Sequence, residues 1–231
     1  MLTVEDLAFS QGGFRLTADF SVASGSTTAI IGPSGGGKST LLNCIAGFAQ
    51  PDAGRVLWDG ADITDMTPGS RPISLIFQDN NLFPHMSVFD NVAIGLRPNM
   101  RLTQDDKSMI QSALSRVALG PLSERKPGEL SGGQQSRVAL ARVLVRDRPL
   151  LLLDEPFAAL GPALRFEMLD LVAELVETIG ATLLMVTHDP GDAKRIAAQA
   201  IFVDEGVVHP PVETTEIFAN PPVALAAYLG R

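Results

Sequence analysis

The 231-residue chain reads as an α/β protein: a mainly parallel sheet, an antiparallel β segment at its start and a helical segment inserted in the middle. Three observations predict this. Short apolar, β-prone runs recur at 28–31, 73–77, 150–153, 183–187 and 200–203 with helical patterns between them, as expected of strands buried on both faces and joined by helical crossovers. Residues 2–20 and 55–58 look instead like antiparallel strands, with turns at Gln11-Gly12-Gly13, Ala23-Ser24-Gly25 and Asp59-Gly60. Between Asp79 and Arg137 the strands stop and helical patterns punctuated by Pro84, Pro98, Pro121 and Pro127 take over.

In chain order, the first buried strand (28–31) feeds a glycine-rich turn and then a helical pattern over 39–47. Cys44 lies within the apolar run 41–45, so it is expected to be a small core residue, and one cysteine excludes an internal disulfide. The inserted helical subdomain is expected over 79–136, and the sheet core over 1–78 and 137–231. A further helical pattern runs over 136–145, after which strand 150–153 ends in two acids. No period of 20 to 50 residues and no low-complexity tail is present.

Composition narrows the function. With 18 Lys+Arg against 26 Asp+Glu the net charge is −8, which offers no basic footprint for a nucleic-acid backbone, so any bound anion must be held locally. No apolar run approaches the ~20 residues that span a bilayer, and the first residues lack a basic-then-apolar secretory pattern. A cytosolic chain is expected, with any membrane role exercised through a partner.

Two runs carry phosphate chemistry. Gly32, Pro33, Ser34, Gly35, Gly36, Gly37, Lys38, Ser39 and Thr40 satisfy the pattern G-x-x-x-x-G-K-[ST] between a strand and a helix, the context that a P-loop NTPase requires. The glycines let successive N–H groups point inward, the helix N-terminus adds positive potential, Lys38 reaches the terminal phosphates and Ser39 offers an oxygen to Mg²⁺. The second run, 130–135 (LSGGQQ), precedes the helical pattern 136–145, so Ser131, Gly132 and Gly133 are expected at an exposed helix start with N–H groups and a hydroxyl to offer. At the end of strand 150–153, Asp154 suits a magnesium ion and Glu155 suits polarisation of the water that attacks a γ-phosphate. Gln78 and His188 follow strands 73–77 and 183–187, at the sheet edge where nucleotide loops gather.

In this order, over essentially the whole chain, these residues resemble the ATP-binding subunits of ABC transporters: Walker A at 32–40, Q-loop at Gln78, signature at 130–135, Walker B with catalytic glutamate at 150–155, and switch histidine at His188. The resemblance implies a RecA-like P-loop core and ATP with Mg²⁺ as the cofactors. It implies Lys38, Gln78, Glu155 and His188 as catalytic residues, and Ser39, Gln78 and Asp154 around the metal. It also implies a head-to-tail homodimer in which Ser131, Gly132, Gly133 and Gln134 of one copy touch the ATP held by the other. Implied partners are transmembrane permease subunits and, indirectly, a periplasmic substrate-binding protein, at the cytoplasmic face of a bacterial inner membrane. Segments 77–96 and 183–189 and the short C-terminus resemble the ATPases of bacterial thiamine importers in particular. Leu82, Phe83 and Met86 are candidates either for a groove that receives a permease loop or for core packing of the helical subdomain.

Two departures stand out. Gln11 occupies the place of an adenine-stacking aromatic, leaving Phe9 or Phe14 to substitute, and Gly161 stands where the loop after Walker B usually ends in Asp, a residue that helps couple the two ATP sites. A soluble ABC-type ATPase of DNA repair or translation is a second reading, weakened by the single cassette, single cysteine and acidic charge. A monomeric P-loop kinase would leave 130–135 unexplained, and no N-K-x-D motif points to GTP.

Overall fold

A computed structural model describes residues 1–230. Its elements run β1 (Leu2–Gln11), β2 (Phe14–Val22), β3 (Thr27–Ile31), α1 (Lys38–Ala46), β4 (Ala53–Trp58), β5 (Ala61–Asp62), β6 (Ile73–Ile76), α2 (Val88–Leu96), α3 (Gln104–Arg116), α4 (Gly132–Leu144), β7 (Leu150–Asp154), α5 (Pro162–Ile179), β8 (Thr182–Val186), α6 (Pro190–Ile196), β9 (Gln199–Asp204), β10 (Val207–Val208), β11 (Val212–Glu213), α7 (Thr214–Ala219) and α8 (Val223–Tyr228). They group into two compact units: residues 1–73, 149–154 and from 176 onward, and residues 74–148 with 155–175. The sequence placed the inserted helical part at 79–136. By backbone contacts the second unit is wider and takes in most of α5.

In the first unit the strands lie in the order β5-β4-β1-β2-β10-β9-β3-β8-β7, with β11 beside β9. The β1, β2 and β4 pairs are antiparallel, whereas β3 runs parallel to β8 and β9, and β7 parallel to β8. Sequence pattern explains the contrast. In β2 the alternation puts Leu16, Ala18, Phe20 and Val22 inside and the residues between them outside, while every residue of β8 is buried. Register places Ile30 of β3 against Val186 of β8, and Val186 against Asp154 of β7. Three parallel strands therefore end at one level, and the segments that follow them share one sheet edge.

Helix α1 leaves that edge and packs its apolar face inward, with Leu41, Leu42, Cys44 and Ile45 at most 1 % exposed. Burial pushes the Cys44 thiol up to about 11, so it is a neutral core group at neutral pH. The last carbonyls of α1 are capped from outside the helix. Arg71, itself wholly buried, donates from Nη1 to the oxygens of Cys44 (2.9 Å) and Ile45 (2.6 Å).

In the second unit, α3 opens with a capping box: Thr103 Oγ1 accepts from the Asp106 N–H, and Asp106 accepts from the Thr103 N–H (2.9 Å). Arg97 adds an ion pair at 3.2 Å to the same carboxylate. Asn91 of α2, fully buried, ties down the preceding loop: its Nδ2 donates to the carbonyls of Phe83, Met86 and Ser87, and its Oδ1 accepts from the Phe83 N–H.

Candidate functional site

The turn from β3 into α1 has the geometry of an anion cradle. Gly32 has φ +146°, and a Cβ there would lie 1.9 Å from the Val203 oxygen, so only glycine fits. Gly36 closes the loop onto Pro33 O (3.2 Å), and its own oxygen accepts from the Gly206 N–H (3.0 Å). Lys38, 6 % exposed, donates from Nζ to the carbonyls of Gly32 (3.0 Å) and Pro33 (2.8 Å), which hold the ammonium inside the loop. Ser34, Gly35 and Ser39 are exposed on the loop, and the first turn of α1 carries no acidic side chain to offset its positive end.

One contact joins the loop to Asp154. Ser39 Oγ donates to Asp154 Oδ1 at 3.0 Å, across 115 residues of sequence. Asp154 closes β7, and Glu155, the next residue, takes a left-handed backbone at φ +45°. A non-glycine residue held there costs on the order of 1 kcal/mol, and such strain gathers where a side chain must be aimed.

His188 leaves the same edge after β8, with its side chain exposed. The residues beside it are fixed. Thr187 donates from its N–H to Ile30 O (3.1 Å) and from its hydroxyl to Asp192 (2.7 Å), and Asp189 caps α6 by accepting from the Gly191 N–H (2.7 Å).

Of the two aromatics open as partners for adenine, Phe9 is buried in β1. Phe14 is half-buried, with its ring against the loop: a Cβ on Gly37 would meet Phe14 Cζ at 2.9 Å.

The remaining expected residues lie in the second unit. Gln78 is exposed in the turn after β6. Helix α4 begins at Gly132, four residues before the helical pattern expected from Ser136, because Ser131 and Gln134 form a capping box: the Ser131 N–H donates to Gln134 Oε1 (2.9 Å) and the Gln134 N–H to Ser131 Oγ (3.4 Å). Ser131 and Gly132 are exposed as expected, but Gly133 is buried, since Leu164 packs within 2.6 Å of where its Cβ would stand. Phe83 is exposed, with the Arg142 guanidinium 5.6 Å above its ring, while Leu82 and Met86 are half-buried.

The family model described as "ABC transporter" matches residues 17–158, a span that holds the cradle, Gln78, the capped turn at Ser131 and both acids. The chain belongs to the ABC transporter family. Among curated relatives, this ABC cassette is 56 % identical over the full length of both chains to a thiamine import ATP-binding protein (ThiQ) of Ruegeria sp. (strain TM1040). It is 51 % identical over 95 % of its length, and 96 % of the relative's, to one from Jannaschia sp. (strain CCS1). Among solved structures it is similar to cbiO1 of Clostridium perfringens, part of a transporter complex, with TM-score 0.86, 32 % identity and coverage of 99 % and 94 %. It is also similar to the dimeric cassette MJ0796, with TM-score 0.80, 29 % identity and coverage of 93 % and 99 %. The fold is thus that of the ABC ATPases, the chain is an ATP-binding ABC ATPase, and the repair or translation reading is not favoured. Among the described residues no helix is long and apolar enough to cross a membrane.

Several residues that shape this ABC cassette were not legible in its sequence. Arg142 of α4 donates to the carbonyls of Asn91 (2.9 Å) and Asn81 (2.9 Å) and to Asn91 Oδ1 (2.7 Å), so the helix that starts at the signature also grips the loop bearing Phe83. Burial lowers the Arg142 pKa, and the hydrogen bonds take the place of water around its charge. Arg71 is the counterpart under α1. Neither lies in a motif, and an arginine's burial leaves no local pattern to read.

Proposed function

We propose that the chain hydrolyses ATP to drive uptake of thiamine, or a phosphate ester of it, through a separate membrane permease at the cytoplasmic face of a bacterial inner membrane. The cargo reading rests on the full-length relatives named for thiamine import. The chemical reading rests above all on the Ser39–Asp154 hydrogen bond beside the cradle.

In this mechanism the N–H groups of residues 35–40 and the Lys38 ammonium take the β- and γ-phosphates of ATP. The hydroxyl of Ser39, the carboxylate of Asp154 and the side-chain oxygen of Gln78 are hard donors of the kind Mg²⁺ prefers. When bound, the ion neutralises charge on the phosphate oxygens. Glu155 accepts the proton of the attacking water, whose oxygen bonds to the γ-phosphorus as the bond to the bridging oxygen breaks, leaving ADP and inorganic phosphate. His188 contacts the γ-phosphate, and Phe14 is the aromatic group for the adenine side. Ser131, Gly132, Gly133 and Gln134 of a second copy close over the nucleotide, so that the homodimer shuts with ATP and reopens after hydrolysis. Leu82, Phe83 and Met86 face the permease, whose solute is delivered by a periplasmic binding protein.

Uptake of labelled thiamine by cells lacking the chain tests this. The wild-type chain restores uptake and Lys38→Ala does not; restoration by Lys38→Ala, or wild-type complementation without thiamine uptake, overturns the reading.

A further inference from the structure

A buried hydroxyl just beyond the signature ties the turn that carries Gln78 to the start of α4. Ser136, 2 % exposed, accepts at Oγ from Asn80 Nδ2 (3.3 Å) and donates from the same oxygen to Gly132 O (3.2 Å). We propose that Ser136 is a positioning residue for Gln78, holding through Asn80 the turn that aims the Gln78 amide at nucleotide-bound Mg²⁺; this rests on the role given to Gln78 above.

Three observations carry it. First, the turn needs holding. Asn80 (φ +57°) and Asn81 (φ +45°) both take a left-handed backbone just after Gln78, and Asn80 Oδ1 is buried with no hydrogen-bond partner among the described residues. Successive left-handed residues and a buried orphan oxygen each cost free energy, and such an arrangement persists where its surroundings fix it.

Second, α4 supplies the support at two points. Besides the Ser136 hydroxyl on Asn80, Arg142 Nη1 donates to Asn81 O (2.9 Å), so each strained residue is bonded to a different turn of the same helix. The other end of the relay, Gly132 O, lies beside Ser131 in the first turn of α4. In the proposed dimer Gln78 serves the nucleotide of its own chain and Ser131 that of the partner, so one hydroxyl fastens a metal donor of one site to the residues that close the other.

Third, the Gln78 side chain is exposed and makes no hydrogen bond to the described residues, so its aim follows the backbone that carries it. Groups that orient a metal's ligands govern how tightly the metal is held.

The test is the affinity of the purified full-length chain for a fluorescent, non-hydrolysable ATP analogue, measured with Mg²⁺ and again with EDTA. Wild type is compared with Ser136→Ala, Asn80→Gly, Gln78→Ala and the double variant of Ser136→Ala with Gln78→Ala. Without metal all bind as wild type does. With Mg²⁺, Gln78→Ala weakens binding, and Ser136→Ala and Asn80→Gly each weaken it about fivefold, the effect of one net hydrogen bond. In the Gln78→Ala background Ser136→Ala has no further effect. Asn80→Gly breaks the same bond from the other side and accepts the left-handed backbone, so it carries the test where Ser136→Ala does not fold. Wild-type affinity with Mg²⁺ in either folded variant, an equal loss with and without the metal, or a further loss in the Gln78→Ala background overturns the positioning role while leaving Gln78 its own. Wild-type affinity with Mg²⁺ in Gln78→Ala instead removes the role of Gln78, and with it that of Ser136.

Discussion

Replacing Arg71 by alanine withdraws the group that caps the helix carrying Lys38 and Ser39. In addition to its two bonds to α1, the guanidinium donates to Met66 O (3.0 Å) and Thr64 O (2.5 Å); of these four carbonyls, those of Ile45 and Thr64 lose a partner in the interior, Cys44 O keeps the Gly47 N–H (3.2 Å), and Met66 O is only part-buried. At about 1 kcal/mol for each of the two stranded interior acceptors, plus the packing of the deleted stem and the weakened Cys44 and Met66 carbonyls and less the desolvation cost of the lost charge, the loss is about 3 kcal/mol. That is a large share of the roughly 5–15 kcal/mol that stabilises a domain. Trp58, the only tryptophan, is buried in β4 of the same unit and reports unfolding by fluorescence. With a urea slope of about 3 kcal/mol/M, the midpoint of Arg71→Ala falls by about 1 M. Arg71→Met restores volume but no donors and recovers about a third of the loss. A midpoint for Arg71→Ala within about 0.3 M of wild type would refute the capping role.

Asp106 predicts a pH dependence in the second unit. The backbone N–H of Thr103 and the Arg97 guanidinium hold its carboxyl below the usual carboxylate range, so its stabilisation is complete above the unfolded value of about 4 and fades as pH falls through the lower folded value. The gap in melting temperature between wild type and Asp106→Asn is therefore widest near neutral pH and shrinks in acid; a gap independent of pH contradicts this origin. Gly161 precedes Pro162, the first residue of α5, has no positive φ, and has nothing within 4 Å of where a Cβ would stand, so Gly161→Asp fits without strain. As a better N-cap it raises stability by a few tenths of a kcal/mol, and it steepens the ATP dependence of hydrolysis if an aspartate there couples the two sites; a destabilised variant would show that the position needs glycine.

The parallel core was legible because its strands are short, apolar on both faces and followed by chemistry-bearing residues. The runs at 28–31, 150–153 and 183–187 correspond to β3, β7 and β8 within one residue at each end. The start of α4 was less so. Gly132 and Gly133 are poor helix formers, yet the Ser131–Gln134 box and the packing of Leu164 on Gly133 carry the helix through them. The two-residue strands β10 and β11 have no periodicity to read, and they form only because β9 and β2 supply partners. Arg71, Asn91 and Arg142 were hidden for a common reason. Each bonds to carbonyls whose proximity is created by the fold, and side-chain type alone does not say which carbonyl will be near.

Closure of two copies around ATP is tested most directly with Glu155→Gln, which removes the proton acceptor while leaving the cradle, Asp154 and the Ser131 turn in place. With saturating ATP and Mg²⁺, sedimentation of this variant should give a species of twice the 24.5 kDa chain mass, and the monomer should return when ADP replaces ATP. A variant that binds ATP yet stays monomeric would contradict the shared site.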